Sequence, residues 1–79
     1  MFYVYVIKSQ LRNYIYVGIT NNFQRRVKQH NNGENSTTRA YRPFELIFGE
    51  EYDTRTEARK REKYLKSGIG KEFIKSFLK

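Results

Sequence analysis

The sequence predicts an α+β fold: a small three-stranded antiparallel sheet flanked by helices, in the order β-β-α-β-α-α. Three observations predict it. Two early stretches, FYVYVIK (residues 2–8) and YIYVGIT (14–20), are rich in β-branched and aromatic residues and are joined by the polar segment SQLRN. Later stretches carry apolar residues at helical spacing, with capping residues before them and glycine behind. The 79 residues are 38% hydrophobic and 16% aromatic, which suits a single domain, 1–79, with a modest core.

Each element follows from local chemistry. The first two strands are apolar on both faces, so neighbours should cover them on both sides. They form a hairpin. A four-residue loop over residues 9–12 would pair Lys8 with Asn13 and Tyr5 with Tyr16, placing the two tyrosines on one face. Asn21 or Asn22 can cap a first helix that runs to about Asn32, with Gly33 as its stop. Residues 33–43 form a polar loop, and Pro43 leads into a third strand, FELIFGEEY. Thr54 and Glu57 have capping-box spacing and open a second helix that ends at Ser67-Gly68. In the tail KEFIKSFLK, residues Phe73, Ile74, Phe77 and Leu78 fall at helical spacing and predict a short amphipathic third helix.

Composition limits the function. Sixteen Lys/Arg stand against eight Asp/Glu, a formal charge of +8, and there is no cysteine. No disulfide or thiolate zinc site is possible, which fits a reducing, cytoplasmic setting. The apolar run FYVYVI is too short for a membrane span and reads as a strand. Residues 55–79 hold nine Lys/Arg and three Glu, whereas residues 1–54 hold seven Lys/Arg and five Asp/Glu. A field of this sign attracts polyanions, phosphate backbones first. A protein that spreads its apolar residues over core-forming strands has little left for a membrane surface.

Two helix faces carry charges in unexpected places. At about 100° per residue, with Phe23 at zero, Val27 lies near ~40°, His30 near ~340° and Arg26 near ~300°, whereas Arg25 lies near ~200°. Arg26 and His30 therefore flank the inward stripe and Arg25 faces solvent. Arg26 either meets an anion there or lays its stem on the sheet and reaches water. His30 is either a hydrogen-bonded structural residue or part of a site. On the second helix Glu62 shares the inward face with Ala58 and Leu65. A carboxylate there pairs with a cation, Arg26 being the natural candidate, or binds a metal. Glu57 is placed to pair with Arg61 on the surface. Tyr3, Tyr5, Tyr14 and Tyr16 crowd the hairpin as core or cross-strand pairs. Gly18, inside a strand, marks a close backbone approach by a ligand or another chain.

With these residues in place the sequence resembles GIY-YIG nuclease domains. The family's first motif corresponds to Tyr3-Val4-Tyr5, with Tyr3 where the motif has glycine, and its second to Tyr16-Val17-Gly18. The family's helix arginine, eight residues after that glycine, corresponds to Arg26, and the histidine one turn later to His30. The late helix glutamate, inside EARKREKYLKSG, corresponds to Glu62; the asparagine that some members carry near the last helix has no counterpart after Asn35. The resemblance spans essentially the whole chain and is strongest to small stand-alone bacterial members, which share the RPFEL-like strand start and the REKYLKSG segment.

The resemblance implies an endonuclease that hydrolyses DNA with one divalent ion, Mg²⁺ (or Mn²⁺), held by Glu62. It implies that Arg26 stabilises the transition state, that Tyr16 activates water with Tyr5 beside it or sharing that role, and that His30 orients Tyr5 or moves a proton. A role in DNA repair or recombination follows. Arg25, Arg39, Arg42, Lys60, Lys63, Lys66, Lys71 and Lys75 are then candidates for backbone phosphate contacts, and a protein partner could supply targeting. The alternative is a nucleic-acid-binding module that keeps the fold and does not cleave.

Overall fold

The computed structural model describes residues 1–78. The elements are β1 (Phe2–Ser9), β2 (Ile15–Thr20), α1 (Phe23–Asn31), β3 (Phe44–Tyr52), α2 (Arg55–Lys66) and α3 (Gly68–Lys75), with a single 3₁₀ turn (Arg39–Tyr41) before β3. All strand pairs are antiparallel and the sheet order is β2-β1-β3. The α+β fold expected from the sequence is the fold observed.

The two-sided apolar character of β1 has its explanation in this order. As the central strand, β1 is covered on both faces. Val4 and Val6 point to one face, where they pack with Val17, Ala58, Leu65 and Ile74 under α2 and α3. Tyr5 and Ile7 point to the other, where they pack with Phe44, Tyr16, Phe23 and Val27 under α1. The domain is thus three layers: α1, the sheet, and the α2–α3 pair.

The caps act where the sequence suggests. Asn22 is the residue that caps α1, its side chain accepting from Arg25 N at 3.1 Å. Beyond α1, Gly33 has φ of 76°, a left-handed conformation that suits glycine and ends the helix. Thr54 Oγ1 accepts from Glu57 N at 3.2 Å and starts α2.

Three expectations change. The hairpin loop lies one residue later than expected, over residues 10–13. Ser9 N donates to Tyr14 O at 2.9 Å, and Ser9 Oγ accepts from Leu11 N and Arg12 N at 3.2 and 3.0 Å, so Ser9 belongs to β1 and braces the turn. The register therefore pairs Lys8 with Ile15 and Tyr5 with Gly18. Because the loop remains even in length, Tyr16 still shares Tyr5's face, as a diagonal neighbour instead of a direct partner. The third helix starts at Gly68, ahead of the expected KEFIKSFLK segment, because Ser67 Oγ caps it by accepting from Gly70 N at 3.2 Å. It ends at Lys75, and Lys79 lies outside the described residues. Arg61 pairs with Glu50 of β3 at 2.8 and 3.1 Å, not with Glu57, because two parallel bonds to one carboxylate outmatch a single contact along the helix. Among the described residues no helix is long and apolar enough to cross a membrane.

Candidate active site

The face beneath α1 gathers four of the five residues expected to do chemistry. Tyr5 sits at the centre, fully buried, on the middle strand. Its ring crosses to the neighbouring strand and lies over Gly18, its direct partner. A Cβ at Gly18 would come within 2.6 Å of Tyr5 Oη. The close approach that Gly18 marks is therefore by the protein's own phenol, not by an outside molecule.

His30 descends from the last turn of α1 and is also fully buried. Its Nε2 lies 3.0 Å from Tyr5 Oη and its Nδ1 lies 2.7 Å from Thr38 Oγ1. Tyr16 borders both: its ring centroid is 4.8 Å from His30 and 6.1 Å from Tyr5. Unlike Tyr5 it is only half-buried, so it is the phenol of the pair that reaches solvent. Phe44 closes the far side of the imidazole at 5.9 Å, and Tyr14 stacks on Tyr41 at 3.9 Å beside it.

Arg26 lies one helical turn before His30 and is half-buried, as its position beside the inward stripe requires. Its guanidinium finds a neutral partner, Gln29 Oε1, at 2.9 Å. With Gln29, His30, Glu34 and Asn35 it lines a recess of about 210 Å³. Arg25 points outward and bonds Asn21 Oδ1 at 2.9 Å. The two adjacent arginines thus have different surroundings: one bounds the recess and the other is a surface charge.

Burial sets the protonation states. Burial pushes the Tyr5 phenol up from its usual 10.0, with hydrogen bonding to Arg26 pulling the other way. Burial lowers His30 from its usual 6.5, and the nearby Arg26 charge adds to the effect. At neutral pH the site therefore holds a neutral imidazole against a protonated Tyr5.

Glu62 stands apart from these four. It is on α2, across the sheet from α1, and its side chain is 16% exposed. Its inward tilt agrees with the helical spacing, but its partner is Lys66 Nζ at 3.2 Å. No Glu62–Arg26 pair forms among the described residues; each takes a partner within a turn of its own helix, because the sheet lies between the helices. The free edge of β2 is one route between the two sides. There α2 runs antiparallel to the strand, with Arg55 beside residues 19–21 and Lys66 beside residues 13–17. At ~1.5 Å per helical residue and ~3.3 Å per strand residue, Glu62 falls roughly level with Val17, next to Tyr16 in sequence.

The basic residues separate into three groups. Lys66, Lys71 and Lys75 line a groove of about 510 Å³ along the β2 edge, with Tyr14 and Tyr16 on its other wall. Lys60 and Lys63 border a second groove on the outer face of α2 with Arg55 and Arg59. Arg39 and Arg42 flank the loop after α1: Arg39 Nε donates to Gly33 O at 3.0 Å, so it also holds that loop, while Arg42 lies against Gly33 and is exposed.

Thr38 was not legible as a site residue. It sits in a polar loop, STTRAY, that gives no sign of burial, yet it is fully buried against His30. The one available signal was His30 itself, since a buried imidazole needs a partner at each nitrogen.

Comparison with known proteins identifies the family of the chain. The family model of the GIY-YIG catalytic domain matches residues 1–72. The UPF0213 protein CPE1444 of Clostridium perfringens is 40% identical over 67 residues, which cover 84% of this chain and 71% of that protein. The UPF0213 protein YazA of Bacillus subtilis is 42% identical over 65 residues, 81% of this chain and 65% of YazA. The solution NMR structure of the UPF0213 protein BH0048 from Bacillus halodurans matches with a TM-score of 0.57 and 31% identity, covering 96% of this chain and 84% of that one. With the matched region containing both tyrosine motifs, Arg26, His30 and Glu62, the chain belongs to the GIY-YIG nuclease family.

Proposed function

We propose that this protein is a metal-dependent endonuclease that hydrolyses phosphodiester bonds in DNA. The observation that carries the reading is the meeting of Arg26, Tyr16 and the buried Tyr5–His30 pair beneath α1, in a chain of a nuclease family. The basic surface on α2 and α3 supports a polyanionic substrate.

The residues divide the work by exposure and charge. Arg26, whose partners Gln29 and Tyr5 are both neutral, is free to turn its donors to the scissile phosphate. Its fork of N–H groups matches phosphate oxygens and stabilises the charge that grows in the transition state. Tyr16 takes the proton of the attacking water, since it is the phenol that reaches solvent. Tyr5, fully buried and held protonated, supports Tyr16 by hydrogen bonding. His30, neutral and fixed at both nitrogens, orients Tyr5. Lys60, Lys63, Lys66, Lys71 and Lys75 hold the flanking backbone without reading its sequence.

Glu62 is the residue that would hold a divalent cation. No cluster of three or more His, Cys, Asp or Glu side chains forms among the described residues. One carboxylate fits Mg²⁺ or Mn²⁺, because Mg²⁺ keeps several waters and is commonly bound through one or two carboxylates plus substrate phosphates. When bound, such an ion supplies charge neutralisation at the phosphoryl oxygens and at the leaving 3′ oxygen. Lys66 is the counter-charge of Glu62 and would have to give way to a cation.

A supercoiled-plasmid assay with Mg²⁺, comparing wild type with Arg26→Ala and Glu62→Ala, tests the reading: nicking should appear only in the wild type. The Glu62–Lys66 pair favours one competing reading, a nucleic-acid-binding module without cleavage. DNA binding with no nicking under any divalent metal would select that reading.

A further inference from the structure

We propose that the outer edge of β2 is a docking site for an extended segment of a partner protein in which acidic and apolar residues alternate, and that this segment, when bound, lies over Tyr16 and keeps DNA from the site.

The sheet order β2-β1-β3 leaves one side of β2 without a neighbouring strand. Which backbone groups point to that side follows from the hairpin. Ser9 N donates to Tyr14 O, so these two residues form a hydrogen-bonded pair. Bonded and non-bonded pairs alternate along an antiparallel ladder. The register then makes Ile7–Tyr16 and Tyr5–Gly18 bonded pairs, and it turns the N–H and C=O of Ile15 and Val17 outward. Both residues border the groove of about 510 Å³ between the β2 edge and the α2–α3 pair.

Three properties of this groove select its occupant. Its strand edge offers donors and acceptors at every second residue, which an extended polypeptide matches. A DNA backbone carries acceptors and no donors, so it leaves the C=O groups unmet. Its charged lining is Lys66, Lys71 and Lys75, with no acidic residue. Two of these lysines hold weak, exposed ion pairs, Lys66 with Glu62 at 3.2 Å and Lys75 with Glu72 at 3.7 Å, which an incoming carboxylate can replace. The remaining lining is largely apolar, with the half-buried rings of Tyr14 and Tyr16 on the face that Tyr5 shares.

Side chains of a strand point alternately to opposite faces. A strand added to β2 therefore directs one set toward the lysines of α2 and α3, and the other toward Tyr14 and Tyr16. Acidic residues suit the first set and apolar residues the second. A second copy of this chain does not fit, because pairing β2 with β2 would set the same lysines against each other. The exclusion of DNA rests on the nuclease reading; the addition of a strand does not.

The probe is a short peptide of alternating Glu and Val. Two controls carry the same charge: one has its glutamates in a single block, and the other is the alternating peptide with an N-methylated backbone, which cannot complete the ladder. Amide hydrogen exchange of ¹⁵N-labelled protein reads the outcome. In the free protein Ile15 and Val17 should exchange faster than Tyr16 and Gly18, which bond to β1. At a free peptide concentration about 10 times Kd, exchange at Ile15 and Val17 should slow about 10-fold. The controls should bind roughly 10-fold more weakly and give no such protection. Lys71→Ala and Lys75→Ala should each weaken the alternating peptide by roughly 2- to 5-fold. Absence of binding overturns the proposal. So does equal binding of all three peptides without protection, which would mean a groove that takes any polyanion, DNA included, through charge alone. In the plasmid assay saturating peptide should suppress nicking, and an unchanged rate would overturn the occlusion. Protection of Ile15 and Val17 in a protein that never nicks would sustain the docking site while sinking the nuclease reading.

Discussion

Tyr5 and Gly18 face each other across the β1–β2 ladder, with the phenol ring of the first resting on the backbone of the second. The site depends on this pairing, because it lets a large side chain lie flat and reach His30. A methyl group at Gly18 would stand 2.6 Å from Tyr5 Oη and 2.7 Å from Cζ, inside contact distance, with no flexible tail to yield. Gly18→Ala should therefore destabilise the fold by about 1–3 kcal/mol, the usual cost of overpacking. Urea unfolding measures it, and nicking should fall further than stability alone explains, because Tyr5 must shift away from His30.

The buried imidazole makes stability depend on pH. Burial lowers the His30 pKa in the folded chain, whereas the unfolded chain titrates near 6.5. Between the depressed native value and 6.5 the unfolded state binds more protons. Stability is full above 6.5 and falls as pH drops through that window, by at most about 1.4 kcal/mol per pH unit. With only one histidine present, the slope between pH 7.5 and 5.5 belongs to it. Denaturant midpoints should show the fall in wild type and a flat response in His30→Gln.

On the nuclease reading, Lys66 would compete with a cation for Glu62. The ammonium is 55% exposed and 3.2 Å from the carboxylate, so the pair is weak and reversible. Lys66→Met should lower the Mg²⁺ concentration at half-maximal nicking, while weakening DNA binding by the loss of one phosphate contact. A metal titration at fixed substrate separates the two effects.

The basic groove on α2 should act through charge alone. Lys60→Ala and Lys63→Ala should each weaken binding to all DNA sequences alike and reduce the slope of log K against log salt by about 1. Fluorescence anisotropy across a salt series checks this with catalytically silent Glu62→Ala protein.

Much of the architecture was legible in the sequence because its signals are local. Cap residues Asn22 and Thr54 sit within one turn of the amides they bind. The strands announce themselves by composition, and the helix faces by spacing, which correctly set Arg26 inward and Arg25 outward. What failed depended on partners distant in sequence or on one residue's choice of role. Ser9 is a strand end and a turn brace at once, and that moved the register by two. Arg61 found Glu50 on β3 instead of its own helix. Thr38 is buried only because α1 and its following loop close over Tyr5. The Glu62–Arg26 pair failed because helical spacing says which side of a helix faces the sheet but not which face of the sheet it covers.

The central claim is that Arg26, unlike its neighbour Arg25, meets the scissile phosphate. Initial rates of Mg²⁺-dependent nicking of supercoiled plasmid, measured side by side for Arg26→Ala and Arg25→Ala, test it most directly. A loss on the order of 10²-fold or more for Arg26→Ala, with a modest loss for Arg25→Ala that disappears at saturating protein, is the predicted result. Equal losses at both positions, fully reversed by higher protein concentration, would contradict it.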